Sequence, residues 1–120
     1  MRIAWKRTIL NVPLNDAGLI EHNSNDTKWN NVFTVELSFS EFDLLESVFN
    51  DWNRKFNIHI DYLNNETLIH ENAQEAMEIL KRHIEKNSDN QDFLNAAEKL
   101  KSALEKAIEV KMPLFLDFRS

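Results

Sequence analysis

The residues that could support chemistry are concentrated between Phe56 and Gln74, where the sequence reads FNIHIDYLNNETLIHENAQ. Histidine, aspartate and glutamate bind metal ions and act as general acids and bases. His70 and Glu71 begin like the helical zinc-protease motif, whose second histidine lies four residues after the first. That position is occupied by Gln74. The motif is therefore incomplete.

His59 and Asp61 form the remaining candidate pair, because alternate residues of a strand lie on one face. The residues that alternate with them, Ile58, Ile60 and Tyr62, are suited to a buried face. The simplest interpretation is a strand whose solvent-facing side carries His59 and Asp61. We therefore expect no catalytic residue, no metal and no cofactor. A small enzyme or ligand-binding domain that uses the His59 and Asp61 face is kept as an alternative.

Length and composition indicate the class of protein. The chain has 120 residues, no cysteine and a single glycine, Gly18. It is long enough to fold as one domain over residues 1–120 without disulfides, and one glycine cannot build a glycine-rich phosphate loop. No apolar run approaches the roughly 18 residues of a membrane helix. We expect a cytoplasmic protein that does not act at a membrane and is not an enzyme.

The negative charge is concentrated in one third of the chain. The net charge is -6, but the segment from Thr8 to Asn53 holds eight acidic residues against Lys28 alone, a local charge of -7. Such a surface repels nucleic acid and attracts basic proteins. We therefore expect a basic protein partner and no direct nucleic-acid binding.

The first half of the chain favours strands followed by a helix. Val32–Phe39 alternates apolar and polar residues, which predicts a strand with one wet face. Arg2–Leu10 is compatible with a strand, Leu19–Glu21 with a short one, and His22–Asn31 with a loop. In Ser40–Lys55 the apolar residues recur at three and four positions, which predicts one helix, and Ser38 with Glu41, or Ser40 with Asp43, can cap its start.

The second half favours a further strand, a helical hairpin and a closing strand. Asn57–Leu63 is the predicted strand, and Asn72–Lys86 and Asp89–Glu109 are the predicted helices. Asn72 and Ser88 are the expected N-caps of those helices. Leu114–Phe118 follows Pro113 and reads as the final strand. The order β-β-β-α-β-α-α-β predicts an α+β fold with a mixed or antiparallel sheet of four to five strands and about three helices packed on one face.

Charge and expected exposure select the residues for a partner-binding surface. Tryptophan is a preferred hot-spot residue in protein interfaces, and Trp29 lies in a predicted loop among polar residues. The alternative for Trp29 is that it folds back over the edge of the core. The candidate partner-binding residues are Glu21, Asp26, Trp29, Glu36, Glu41, Asp43, Glu46, Asn50 and Asp51.

The overall character of the chain resembles a known group of proteins. VFTVELSFSEFDLLESVFNDW places an acidic helix after a strand, a helical hairpin follows, and LFLDF closes the chain. This arrangement resembles the immunity proteins of bacterial toxin systems, including those of contact-dependent growth inhibition. The resemblance implies an antidote that binds a cognate toxin domain, often a basic nuclease, and blocks its active site. An acidic phage-type mimic of nucleic acid that inhibits a host nuclease is the alternative.

Overall fold

The structure is a computed structural model that describes residues 7–24, 28–61 and 64–119. Four strands form one antiparallel sheet in the order β2-β1-β4-β3. The strands are β1 Arg7–Pro13, β2 Val32–Ser38, β3 Glu66–Leu68 and β4 Leu114–Arg119. The helices are α1 Asp16–Asn23, α2 Phe39–Leu44, α3 Glu46–Phe56, α4 His70–Lys86 and α5 Gln91–Val110. The α+β class is confirmed.

One face of the sheet carries the hydrophobic core. Leu10 pairs with Val35 of β2 and with Leu116 of β4, so these three side chains lie on the same face. Helices α2 and α5 pack on it, and α3 and α4 pack on these helices and complete the core with the apolar stripes that their periodicity predicts. The buried residues of α3 and α5 include Val48, Phe49, Trp52, Phe93, Ala96, Ala97, Leu100, Ala103, Leu104 and Ala107.

Helix α1 lies on the other face, so the expectation that helices pack on one face alone is incomplete. Its residue His22 contacts Phe115 and Asp117, which alternate along β4 with the core residues Leu114 and Leu116. The prediction of a short strand at Leu19–Glu21 was wrong, and His22 was wrongly assigned to a loop. Asn15 caps the helix by accepting a hydrogen bond from the backbone N–H of Gly18.

The strand predicted at Asn57–Leu63 was also wrong in its described part. Residues 57–61 are not in a strand, Tyr62 and Leu63 lie outside the described residues, and β3 begins only at Glu66. Asn53 of α3 binds both backbone groups of Ile60, donating to its carbonyl oxygen and accepting from its N–H. A helix side chain therefore takes the hydrogen bonds that a neighbouring strand would have made.

The predicted helix Ser40–Lys55 is divided at Leu45, which stays fully buried. Its capping box is confirmed, because the Ser38 hydroxyl accepts from Glu41 N–H and the Glu41 carboxylate accepts from Ser38 N–H. The N-caps predicted for the two later helices, Asn72 and Ser88, were wrong.

Helix α4 begins two residues earlier than expected, with Ile69 rather than Asn72 at its N-cap, and Asn90 rather than Ser88 caps α5. The predicted strand Val32–Phe39 is observed as β2, and the closing strand as β4. Among the described helices, none is long and apolar enough to cross a membrane.

Candidate functional site

A polar cluster lies beneath α1 on the second face of the sheet. His22 Nε2 is 2.7 Å from Asp117 Oδ2, and the Asn11 side-chain amide donates to the same oxygen at 2.6 Å. Thr34 donates its hydroxyl proton to Asn11 Oδ1 at 2.8 Å. Asn11 is fully buried and Asp117 is 8% exposed. The four side chains form one continuous hydrogen-bonded network across three strands and a helix.

Strand register and a close helix contact position this network. Asn11 pairs with Thr34 of β2 and with Phe115 of β4, so Asp117 lies two residues farther along the same face. Gly18 brings α1 against the sheet, since a Cβ at this position would overlap the carbonyl oxygen of Asn31. His22, one turn later, then stacks on the Phe115 ring with centroids 3.9 Å apart. The helix therefore holds the imidazole in a fixed place.

A cavity of about 360 Å³ adjoins the network. Its lining residues are His22, Ser24, Trp29, Asn65, Asp117 and Phe118. Both hydrogen bonds of described residues to the Asp117 carboxylate end on Oδ2, which leaves Oδ1 without a partner among them. Asn65 uses its Oδ1 to accept from the backbone N–H of Phe118. The Asp117 Oδ1 acceptor and the NH2 group of the Asn65 side chain are thus available at the cavity wall.

Trp29 closes one side of this cavity, with its ring centroid 5.5 Å from that of His22. It is partly buried, and it packs beside His22 on the second face of the sheet rather than over the edge of the core. Its indole N–H is buried and has no hydrogen-bond partner among the residues that the structure describes. A buried donor without an acceptor costs about 1–3 kcal/mol. Within the described residues, the fold therefore leaves the Trp29 N–H as an unpaired donor.

The network can orient a hydrogen-bonding imidazole. A histidine whose ring nitrogen binds a buried carboxylate has a fixed ring orientation, as in many binding and catalytic sites. Nδ1, the other ring nitrogen, lies 3.4 Å from Asn23 Oδ1 at the end of α1. Sequence reasoning missed this cluster. Its signal was the presence of Asn11 and Asp117 inside otherwise apolar strands.

Four of the acidic residues predicted to bind a partner are engaged within the protein. Glu36 forms an exposed ion pair with Arg7 at 3.2 Å. The Glu21 carboxylate accepts hydrogen bonds from the backbone N–H and from the side-chain amide of Asn31. These two bonds, the backbone one first, hold the pKa of Glu21 below its ordinary value. Glu21 thus organises the chain that follows α1.

Glu41 and Asp51 are the other two engaged acids. Partial burial acts to raise the pKa of Glu41, but hydrogen bonds from Lys99 and Ser38 outweigh it and keep that pKa below its ordinary value. The Lys99 ammonium lies 2.8 Å from Glu41. The hydrogen bond from His83, at 2.6 Å, lowers the pKa of Asp51, and Arg54 assists.

Three of the predicted residues remain exposed and unengaged. Asp43, Glu46 and Asn50 project from α2 and α3, and their side chains have no hydrogen bond or ion pair with the described residues. Glu46 and Asn50 border a groove of about 130 Å³ whose floor includes Phe42, Phe49 and Ile60. We call Asp43, Glu46 and Asn50 the helical acidic surface. Asp26 lies outside the described residues.

The nine predicted residues do not all share one surface. Glu36 pairs with Ile9, which in turn pairs with Asp117, so Glu36 lies on the face of the sheet that α1 covers in part. The helical acidic surface belongs to the helices on the opposite face. His59 and Asp61 are 3.3 Å apart in an irregular segment rather than on a strand face. Among the described residues, no group of three or more His, Cys, Asp or Glu side chains is arranged to hold a metal ion.

Comparisons with protein-family models, with curated proteins and with solved structures find no match to this chain.

Proposed function

We propose that the protein is an inhibitor of the immunity type, which binds a basic toxin domain in the bacterial cytoplasm and occludes its active site. The observation that carries the proposal is the helical acidic surface. Asp43, Glu46 and Asn50 stay exposed, while other acidic residues of the same region are used in caps and ion pairs within the protein. Polar side chains left without internal partners are available to a second protein.

Charge would act mainly on the rate of association. A negative patch attracts a basic partner over a distance of about 10 Å at 0.1 M salt, and this attraction accelerates encounter. Carboxylates on a rigid helix also occupy fixed positions, so they can replace substrate phosphates against the basic side chains of a nuclease. The adjoining apolar groove can accommodate one side chain of the partner.

Co-expression with the toxin domain encoded beside the gene tests this function. We expect the wild-type chain to restore growth and to bind that domain with a salt-dependent association rate. The double reversal of Asp43 and Glu46 to lysine should slow association by at least about tenfold at low salt. Stopped-flow fluorescence measures the rate.

The matched control reverses Glu98 and Glu105, two exposed acids of α5, to lysine. This control changes the net charge by the same amount at a different place. Equal slowing by both pairs would contradict the assigned interface. Absence of a toxin domain from the neighbouring genes, or failure to restore growth, would contradict the immunity function itself.

A further inference from the structure

The cavity beneath α1 is independent of the helical acidic surface. We propose that it binds a small, uncharged, planar ligand that presents a hydrogen-bond donor beside an acceptor, as a primary amide or the edge of a nucleobase does. Asp117 Oδ1 accepts a hydrogen bond from the donor of the ligand, and the indole N–H of Trp29 donates one to the acceptor of the ligand. Asn65 lies at the same wall.

The dimensions and the lining favour a ligand with one or two rings. A volume of about 360 Å³ falls within the usual range of small-molecule pockets. Two of the lining residues, His22 and Trp29, present aromatic rings to the cavity side of the sheet, whereas the Phe118 ring packs against Phe42 on the core face. Flat aromatic walls favour a flat ligand, because rings stack with offset or tilted geometry.

The unpaired polar groups determine the hydrogen-bonding pattern. Within the described parts of the chain, the Trp29 indole N–H is buried without an acceptor and Asp117 Oδ1 has no donor. The indole nitrogen has no solvent contact, so its N–H reaches the cavity only after the ring rotates. Binding should therefore move Trp29, and the new hydrogen bond would remove the cost of its unpaired donor.

Charge disfavours an anionic ligand, and hydrogen-bonding capacity disfavours a cationic one. The described lining residues include no lysine or arginine, and the Asp117 carboxylate repels an anion. A cation presents only donors and leaves the Trp29 N–H unpaired. It would also compete with His22 for the carboxylate, 2.7 Å from the imidazole. A neutral ligand with both a donor and an acceptor satisfies both groups.

Three probes of nearly identical shape test the proposal. Benzamide is neutral with a donor and an acceptor, benzoate is an anion with acceptors only, and benzamidine is a cation with donors only. In a two-dimensional NMR titration we expect benzamide to bind with a dissociation constant on the order of 1 mM, given its size. Benzamidine should bind at least about tenfold more weakly, and benzoate should not bind.

The indole signals report the place of binding. The Trp29 N–H resonance should shift, whereas that of Trp52 should not, because the Trp52 N–H already donates to the Ala76 carbonyl oxygen in the core. Asp117→Asn should weaken benzamide binding by at least about tenfold. Glu36→Gln removes the same charge from the same sheet face outside the cavity, and it should leave binding unchanged.

Trp29→Leu gives a second test, because it leaves the buried network in place. This variant should weaken benzamide binding and abolish the selectivity for benzamide over benzamidine and benzoate. Equal or tighter binding of benzamidine would overturn the assignment of a neutral ligand. Binding of benzamide that shifts the Trp52 resonance instead, or that neither variant weakens, would overturn the site. Absence of binding by all three probes at 20-fold above the expected constant, about 20 mM, would overturn the proposal as a whole.

Discussion

Two histidine–aspartate pairs of similar length occupy different surroundings. His22 Nε2 lies 2.7 Å from Asp117 and His83 Nε2 lies 2.6 Å from Asp51. The Asp117 side chain is 11% exposed and is bound by the buried Asn11, whereas the Asp51 side chain is 35% exposed and is bound by the exposed Arg54. The same chemical pair is thus a buried network in one place and a surface link between α3 and α4 in the other.

The comparison shows that the distance between the two side chains does not by itself determine how much such a pair contributes to the free energy of unfolding. Water can replace a lost partner at Asp51, because that carboxylate is partly solvated. Water reaches Asn11 poorly, so loss of Asp117 leaves a buried amide and an imidazole without their acceptor. The first four predictions below test this contrast, and the fifth concerns a side chain outside both pairs.

Asp117→Ala should have the largest effect. It removes the acceptor of two buried or nearly buried groups, and breaking a buried pair costs about 3–5 kcal/mol of unfolding free energy. Urea denaturation followed by circular dichroism measures the loss. A loss below that of Asp51→Ala would contradict the contrast between the two pairs.

Gly18→Ala should have the next largest effect, about 1–3 kcal/mol, because the added Cβ forces α1 away from Asn31. The displacement should also alter the His22 ring signals in NMR spectra, while those of His83 stay in place. Ala17→Gly, an exposed change in the same helix, should cost at most about 1 kcal/mol and should not shift His22. Unchanged His22 signals in Gly18→Ala would show that α1 does not position the imidazole.

Asp51→Ala should cost about 1 kcal/mol or less, as expected for a partly exposed ion pair. Addition of 1 M salt should reduce this cost, because screening weakens an exposed pair more than a buried one. Thermal unfolding at two salt concentrations measures both quantities. A cost equal to that of Asp117→Ala would show that exposure does not distinguish the pairs.

The contribution of Asp51 should disappear in acid. Its folded-state pKa is lowered, first by the His83 hydrogen bond, so its stabilisation is fully present above the ordinary aspartate pKa of about 4 and is lost as the pH falls through the lower folded-state value. The stability difference between wild type and Asp51→Asn should therefore shrink on acidification below pH 4. A difference that grows in acid would contradict this sign.

Asp43→Asn should have the smallest effect on stability, within about 0.5 kcal/mol, because its exposed side chain has no partner among the described residues. Chemical denaturation of the variant beside the wild type checks this value. A clear loss of stability would show that Asp43 serves the fold rather than a partner.

Local pattern was enough to predict several elements. The alternation of Val32–Phe39 and the spacing of Ser38 and Glu41 describe a strand, a cap and a helix start that need no distant residue. The buried stripes of α3, α4 and α5 follow from apolar residues at three and four positions. These features depend on neighbours within one or two turns.

The segment 57–61 shows where the same reasoning fails. Ile58 and Ile60 alternate with polar residues as in a strand, and Ile60 is indeed buried. Its backbone nevertheless pairs with the Asn53 side chain, seven residues away. Hydropathy reports burial but does not report which group takes the backbone hydrogen bonds, so the strand was placed too early.

The sequence by itself determined the α+β class, the amphipathic helices and the position of the acidic segment, because each rests on local periodicity or composition. Only the tertiary structure decided which polar residues meet. Asn11 and Asp117 are 106 positions apart, and His22 and Asp117 are 95 positions apart. Their contact depends on strand register and on the close docking of α1, since a shift of one residue along β4 would turn Asp117 into the core.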